Sequence, residues 1–186
     1  MTNYVLGSGT PIVWADATDF LPTGGAWSVT RTHQIDLTSI AANAYRQGAK
    51  ADLGAATWAQ RWIPVISIEP VSAPAAYGSY ELWFGCSDNA TAANNNPANL
   101  SGSDGAWVGY GAAATDGDEV INAGSGLIYA GALGVSNDDD IFVGELKIIV
   151  PKFRYIIPLF RNSSSVATEG NAIQMSISLY QMQDSF

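Results

Sequence analysis

Residues 172–180 read AIQMSISLY, and their spacing decides the fold class. Ile173, Met175, Ile177 and Leu179 fall on one side of an extended chain, with Gln174, Ser176 and Ser178 on the other. A two-residue repeat belongs to a β-strand with one apolar face. The same period recurs upstream. In GSYELWFGC (78–86), Tyr80, Leu82 and Phe84 oppose Glu81 and Trp83; in WAQRWIPVISIEP (58–70), Trp62, Ile66 and Ile68 share a face, although Pro64 interrupts the run. SVTRTHQIDL (28–37) sets Val29, Arg31 and His33 against Thr30, Thr32 and Gln34, and DIFVGELKIIV (140–150) changes phase near Gly144 as a bulge would. ANAYRQGAKADLG (42–54) contains helix-forming residues, but Gly48 and Gly54 break it and alternation fits about as well, so it is read as strand. Several strands, turn residues between them and no amphipathic helix predict an all-β antiparallel sandwich, with a jelly roll as its specific form. The first 27 residues are turn-rich and weakly periodic, and are expected to form an irregular N-terminal arm ahead of a single domain over 28–186.

One strand-like run, KFRYIIPLFRNSSS (152–165), breaks the pattern. Pro158 removes a ladder donor in its middle, which points to an edge or a bulge rather than a central strand. Arg154 and Arg161 flank its apolar centre, in a chain with eight basic residues in all. Placed on an edge, both arginines are expected to reach carboxylates on a neighbouring molecule.

Composition bounds the function. Charged residues are 13% of the chain, against about a quarter in ordinary soluble proteins, and Ala, Gly, Ser, Thr and Asn must cover much of the surface. A neighbour can cover such a surface without stripping water from many charges. The net charge of −9 leaves no cationic cluster for phosphates, so nucleic acid is not an expected partner. No run approaches a membrane span, and the N-terminus, MTNYVLGSGTP, has none of the parts of a signal peptide. A protein made in a cytoplasm, with Cys86 as a buried free thiol, is the expectation.

No catalytic constellation stands out. His33 is the only histidine and has no nucleophile elbow near it; zinc needs more His and Cys than the chain has. The acidic runs Asp138–Asp140 and Asp116, Asp118, Glu119 lack the spaced ligands of a calcium loop and read as solvated turns. No enzyme activity, cofactor or metal is expected. Six tryptophans raise one alternative: Trp83, turned away from the Tyr80/Leu82/Phe84 face, and Trp107, closing the Asn-rich segment 87–107, could form a sugar-stacking platform.

Several phrases taken together resemble a family of small structural proteins of tailed bacteriophages. They are Arg46-Gln47 before Asp52-Leu53-Gly54, Asn96-Pro97 followed by Ser101–Asp104, and Pro151–Tyr155 before Asn162, within roughly residues 40–186. The resemblance implies a head decoration or cement protein with a jelly-roll fold, sitting on the capsid surface of the virion as a homotrimer. Its partners would be the major capsid protein and copies of itself, and no catalytic residue transfers. Arg154, Arg161, Trp107, Trp83 and Tyr155 are the candidate interface residues, since arginines and aromatics anchor most interfaces.

Overall fold

In a computed structural model, residues 4–6, 10–21, 29–55, 60–75, 78–91, 94–96, 98–107, 109 and 126–184 are described. Among them are twelve strands and no helix. The strands are β1 (Tyr4–Leu6), β2 (Ile12–Ala15), β3 (His33–Gln34), β4 (Tyr45–Gln47), β5 (Ala51–Asp52), β6 (Trp62–Ile68), β7 (Ser79–Ser87), β8 (Gly105–Ala106), β9 (Leu127–Gly134), β10 (Phe142–Glu145), β11 (Tyr155–Asn162) and β12 (Ser176–Asp184). They form an all-β sandwich of two sheets. One has the order β10-β6-β12-β2-β3, with β1 also on β12; the other has β8-β4-β11-β7-β9, with β5 also on β11. Every pairing is antiparallel except that of β2 with β3.

The alternation that decided the fold class builds the layer between the sheets. Ile177, Leu179 and Met175 meet Tyr80, Leu82 and Phe84 in one cluster, all fully buried. Tyr80 stacks on Phe160 with ring centroids 5.8 Å apart. The polar half of the repeat behaves differently from its expectation, because Ser176 and Ser178 are buried too. They lie in the middle of their sheet, beside Ala15 and Val13 on one strand and Ser67 and Val65 on the other. Ile173 precedes the strand and stands exposed, with its carbonyl accepting from Leu21 N.

Part of the N-terminal stretch is built into the sandwich. β2 is an internal strand between β12 and β3, and Val13, Trp14 and Ala15 are fully buried, so this piece belongs to the sandwich. The boundary expected after residue 27 lies outside the described residues.

Pro158 does not mark an edge either. β11 is paired with β7 along its whole length on one side and with β4 and β5 on the other. The proline is tolerated because it falls opposite the gap between β4 and β5, where its carbonyl still accepts from Gly48 N. Its missing donor would have pointed into that gap. There the chain leaves the sheet: Ala49 donates to Gln34 O of β3 and accepts from Trp14 Nε1 of β2, at 2.8 and 2.6 Å. Gly48 lies between Pro158 and Trp14, and a Cβ on it would stand 2.8 Å from Pro158 Cγ and 3.2 Å from Trp14 Cδ1.

Candidate functional site

The second sheet turns a further apolar surface away from the sandwich, and the long loop covers it. Register places Ile157, Leu159, Trp83 and Tyr45 on that outer face. With Ala98, Leu100 and Trp107 from the 87–107 segment they make a second, smaller core. Trp107 is 3% exposed, meets Tyr45 edge-on at 5.4 Å and donates from Nε1 to Ala98 O. Leu100 lies over Gly85, so closely that a Cβ there would stand 2.2 Å from Leu100 Cδ1. The polar residues of the loop satisfy its backbone. Asn96 donates to Leu100 O and accepts from Ala98 N, Ser87 Oγ donates to Asn94 O, and Asn99 donates to Gly109 O. Asn95 and Asn99 also supply left-handed backbone, which Asn adopts more readily than most residues. An Asn-rich loop is thereby a fixed lid on the sheet.

The phrases that carry the family resemblance hold one another. Arg46 Nε and Nη2 donate to the two carboxylate oxygens of Asp104, both at 2.7 Å, with Asp36 3.6 Å away. Gln47 Oε1 accepts from Ser101 N, and Gly102 O accepts from Lys50 N. Asp52 takes a second bidentate fork, from Arg154, at 2.7 and 2.6 Å, while Leu53 N donates to Arg154 O. The Arg46–Asp104 pair is three-quarters or more buried; Arg154 and Asp52 are both 42% exposed.

The candidate residues thus have partners inside the chain. Arg154 is spent on Asp52 and lies 5.4 Å from the Tyr155 ring, with Lys50 Nζ 5.3 Å from the same ring. Arg161 meets Glu81 at 3.4 Å, each side chain 18% exposed, and lies over Tyr45. Neither arginine is a free anchor. Trp107 is sealed in the small core and offers no face to a sugar. Trp83 is half-buried against the same core and tilts on Tyr129, 5.1 Å away, which is 49% exposed. Tyr129 was not visible as a candidate because LIYAGALG (127–134) puts small residues where an apolar stripe would announce a strand.

Of the acids, Asp138–Asp140 lie exposed on the turn before β10, and the adjacent strand end brings up Glu69. Glu169 N donates to Glu69 O, adding a further carboxylate. Burial, then the charges of Glu169, Asp140 and Asp139, push the Glu69 carboxyl above its ordinary range. No group of three or more His, Cys, Asp or Glu among the described residues is arranged to hold a metal. A raised carboxyl costs stability while it is ionised, and the cost is relieved as the pH falls through its folded value. Glu69→Gln is therefore expected to raise Tm at neutral pH, with the gain shrinking to nothing as the pH is lowered through the carboxylate range; thermal melts across pH check it. His33 Nδ1 sits 2.9 Å from Thr32 Oγ1, whose hydroxyl already donates to Val13 O. Burial and Arg31 hold the imidazole below its ordinary value. Cys86 is buried, and burial pushes its thiol up, away from the reactive thiolate.

Compared with known proteins, the chain matches no family model and no curated sequence.

Proposed function

We propose that the chain is a structural protein of a tailed-bacteriophage particle, a decoration or cement protein on the capsid surface. Its partners in this reading are the major capsid protein and further copies of itself, as a homotrimer. The observation that carries the reading is the agreement between the resemblance and the internal wiring. Arg46-Gln47 and Ser101–Asp104, remote in sequence, form with Lys50 the bonds that lock a polar, charge-poor lid onto the second sheet, while the Asp52–Arg154 fork ties β5 to the start of β11. Rigid lids of this kind present surface without the entropy cost of ordering a loop on contact.

Strand order supports a jelly roll for the fold. Leaving aside the flanking β1, β3, β5 and β8, the strands β2, β12, β6 and β10 are neighbours in one sheet, and β4, β11, β7 and β9 in the other. The chain crosses between the sheets at β2–β4, β4–β6, β6–β7, β9–β10, β10–β11 and β11–β12, as two interleaved Greek keys require. Copy number tests the function. Purified virions from the source phage are expected to carry the chain in hundreds of copies that stay with emptied heads; a handful confined to tails, or none, overturns it.

A second reading, a carbohydrate- or receptor-binding module, is favoured by one observation, the partly exposed Trp83–Tyr129 pair. Glycan binding lost in Tyr129→Ala, with folding intact, would decide for it.

A further inference from the structure

Four of the eight exposed large apolar side chains among the described residues, Val143, Ile148, Val150 and Phe153, lie within eleven residues. The same stretch holds Lys147 and Lys152, two of the three lysines in a chain of net charge −9, against a single carboxylate, Glu145. Its first part forms the border of the first sheet, where β10 pairs with β6 and Ile149 then bridges to Trp62 through two 2.9 Å hydrogen bonds; Lys152 and Phe153 follow in the turn that leads into β11 of the second sheet. Ile149 and Trp62 turn inward and are buried, which leaves Ile148 and Val150 facing outward. At the other end of β6, about 20 Å away at strand rise, the turn Asp138–Asp140 stands exposed beside Glu69 and Glu169. One border of the sandwich is therefore cationic and apolar at one end and acidic at the other.

We propose that this border is the contact between copies of the chain, the Lys147–Phe153 strip of one seating against the Asp138–Asp140 turn of the next. Copies with a charge of −9 repel over most of their surface, and this approach sets opposite charges together while removing Ile148 and Val150 from water. The contact names the self-association surface of the proposed particle protein, and it does not need a capsid. Absence from virions would remove the cement reading and leave the contact standing; a monomer bound to shells would do the reverse.

Sedimentation or light scattering of the purified chain tests it. The wild type is expected to assemble, and less so as salt rises. Lys147→Glu/Lys152→Glu is expected to weaken assembly at least about tenfold, as is Asp138→Lys/Asp139→Lys/Asp140→Lys, because each sets like charges across the contact. Mixing the two variants restores opposite charges wherever unlike copies meet, two contacts in three of a closed trimer, and should restore assembly in part. Ile148→Ser/Val150→Ser, which keeps every charge, should also dissociate the chain. A wild type that is monomeric at every concentration overturns the proposal. So do variants that assemble as the wild type does, or folded charge variants, checked by circular dichroism, that stay apart when mixed.

Discussion

Trp107→Ala is expected to destabilise the protein by about 3–5 kcal/mol, the cost of emptying a buried tryptophan site. The side chain is 3% exposed and is the largest buried one in the small core, where it joins the lid to Tyr45. Its loss also strands Ala98 O, which accepts the indole N–H at 3.1 Å. Urea unfolding at constant slope measures the change. A shift below about 1 kcal/mol, the size of a surface substitution, would mean that the lid is not packed as described. Trp83→Ala serves as the comparison and should cost less, since that ring is only half-buried.

Arg46→Ala is expected to cost about 2–3 kcal/mol, between the loss of a charge-assisted hydrogen bond and the breaking of a fully buried pair. Asp104, 14% exposed, would lose both donors of the fork and retain only the longer hydrogen bond from Asp36 N at 3.2 Å. Arg46→Lys should recover little, because a single ammonium cannot make two parallel bonds to one carboxylate. Arg154→Ala, removing the same fork from an exposed pair, should leave Tm nearly unchanged. Thermal melts of the three variants separate the cases. Equal losses in Arg46→Ala and Arg154→Ala would show that burial does not set the strength of these forks.

The sandwich was legible because its inner face is written in large residues at period two: Tyr80, Leu82, Phe84, Ile177 and Leu179 keep in the structure the side the spacing assigns them. What was hidden was hidden by pairing, which no local pattern encodes. Pro158 reads as an edge signal until β4 and β5 are seen to leave a gap for it. Arg154 and Arg161 read as outward anchors because Asp52 and Glu81, 102 and 80 residues upstream respectively, are brought across by register alone. Reversing Arg161 would therefore set two negative groups together in a largely buried site and disturb the fold before it could report on any interface. Trp107 reads as a platform because nothing in its own neighbourhood says that Ile157 and Leu159 await it on the outer face. β2 went unseen because four residues, Ile12–Ala15, are too few to show a period.

The gap opposite Pro158 has a mechanical meaning. Two β-sheets held only by side-chain packing resist being pulled apart better than they resist sliding, since apolar contacts are non-directional. Hydrogen bonds have preferred angles and do oppose sliding. Where the chain leaves the ladder after Gly48, Ala49 bonds through both its backbone groups to the opposite layer. The two bonds of Ala49 thus act as a cross-tie against shear between the layers, beside the strand that lacks a donor.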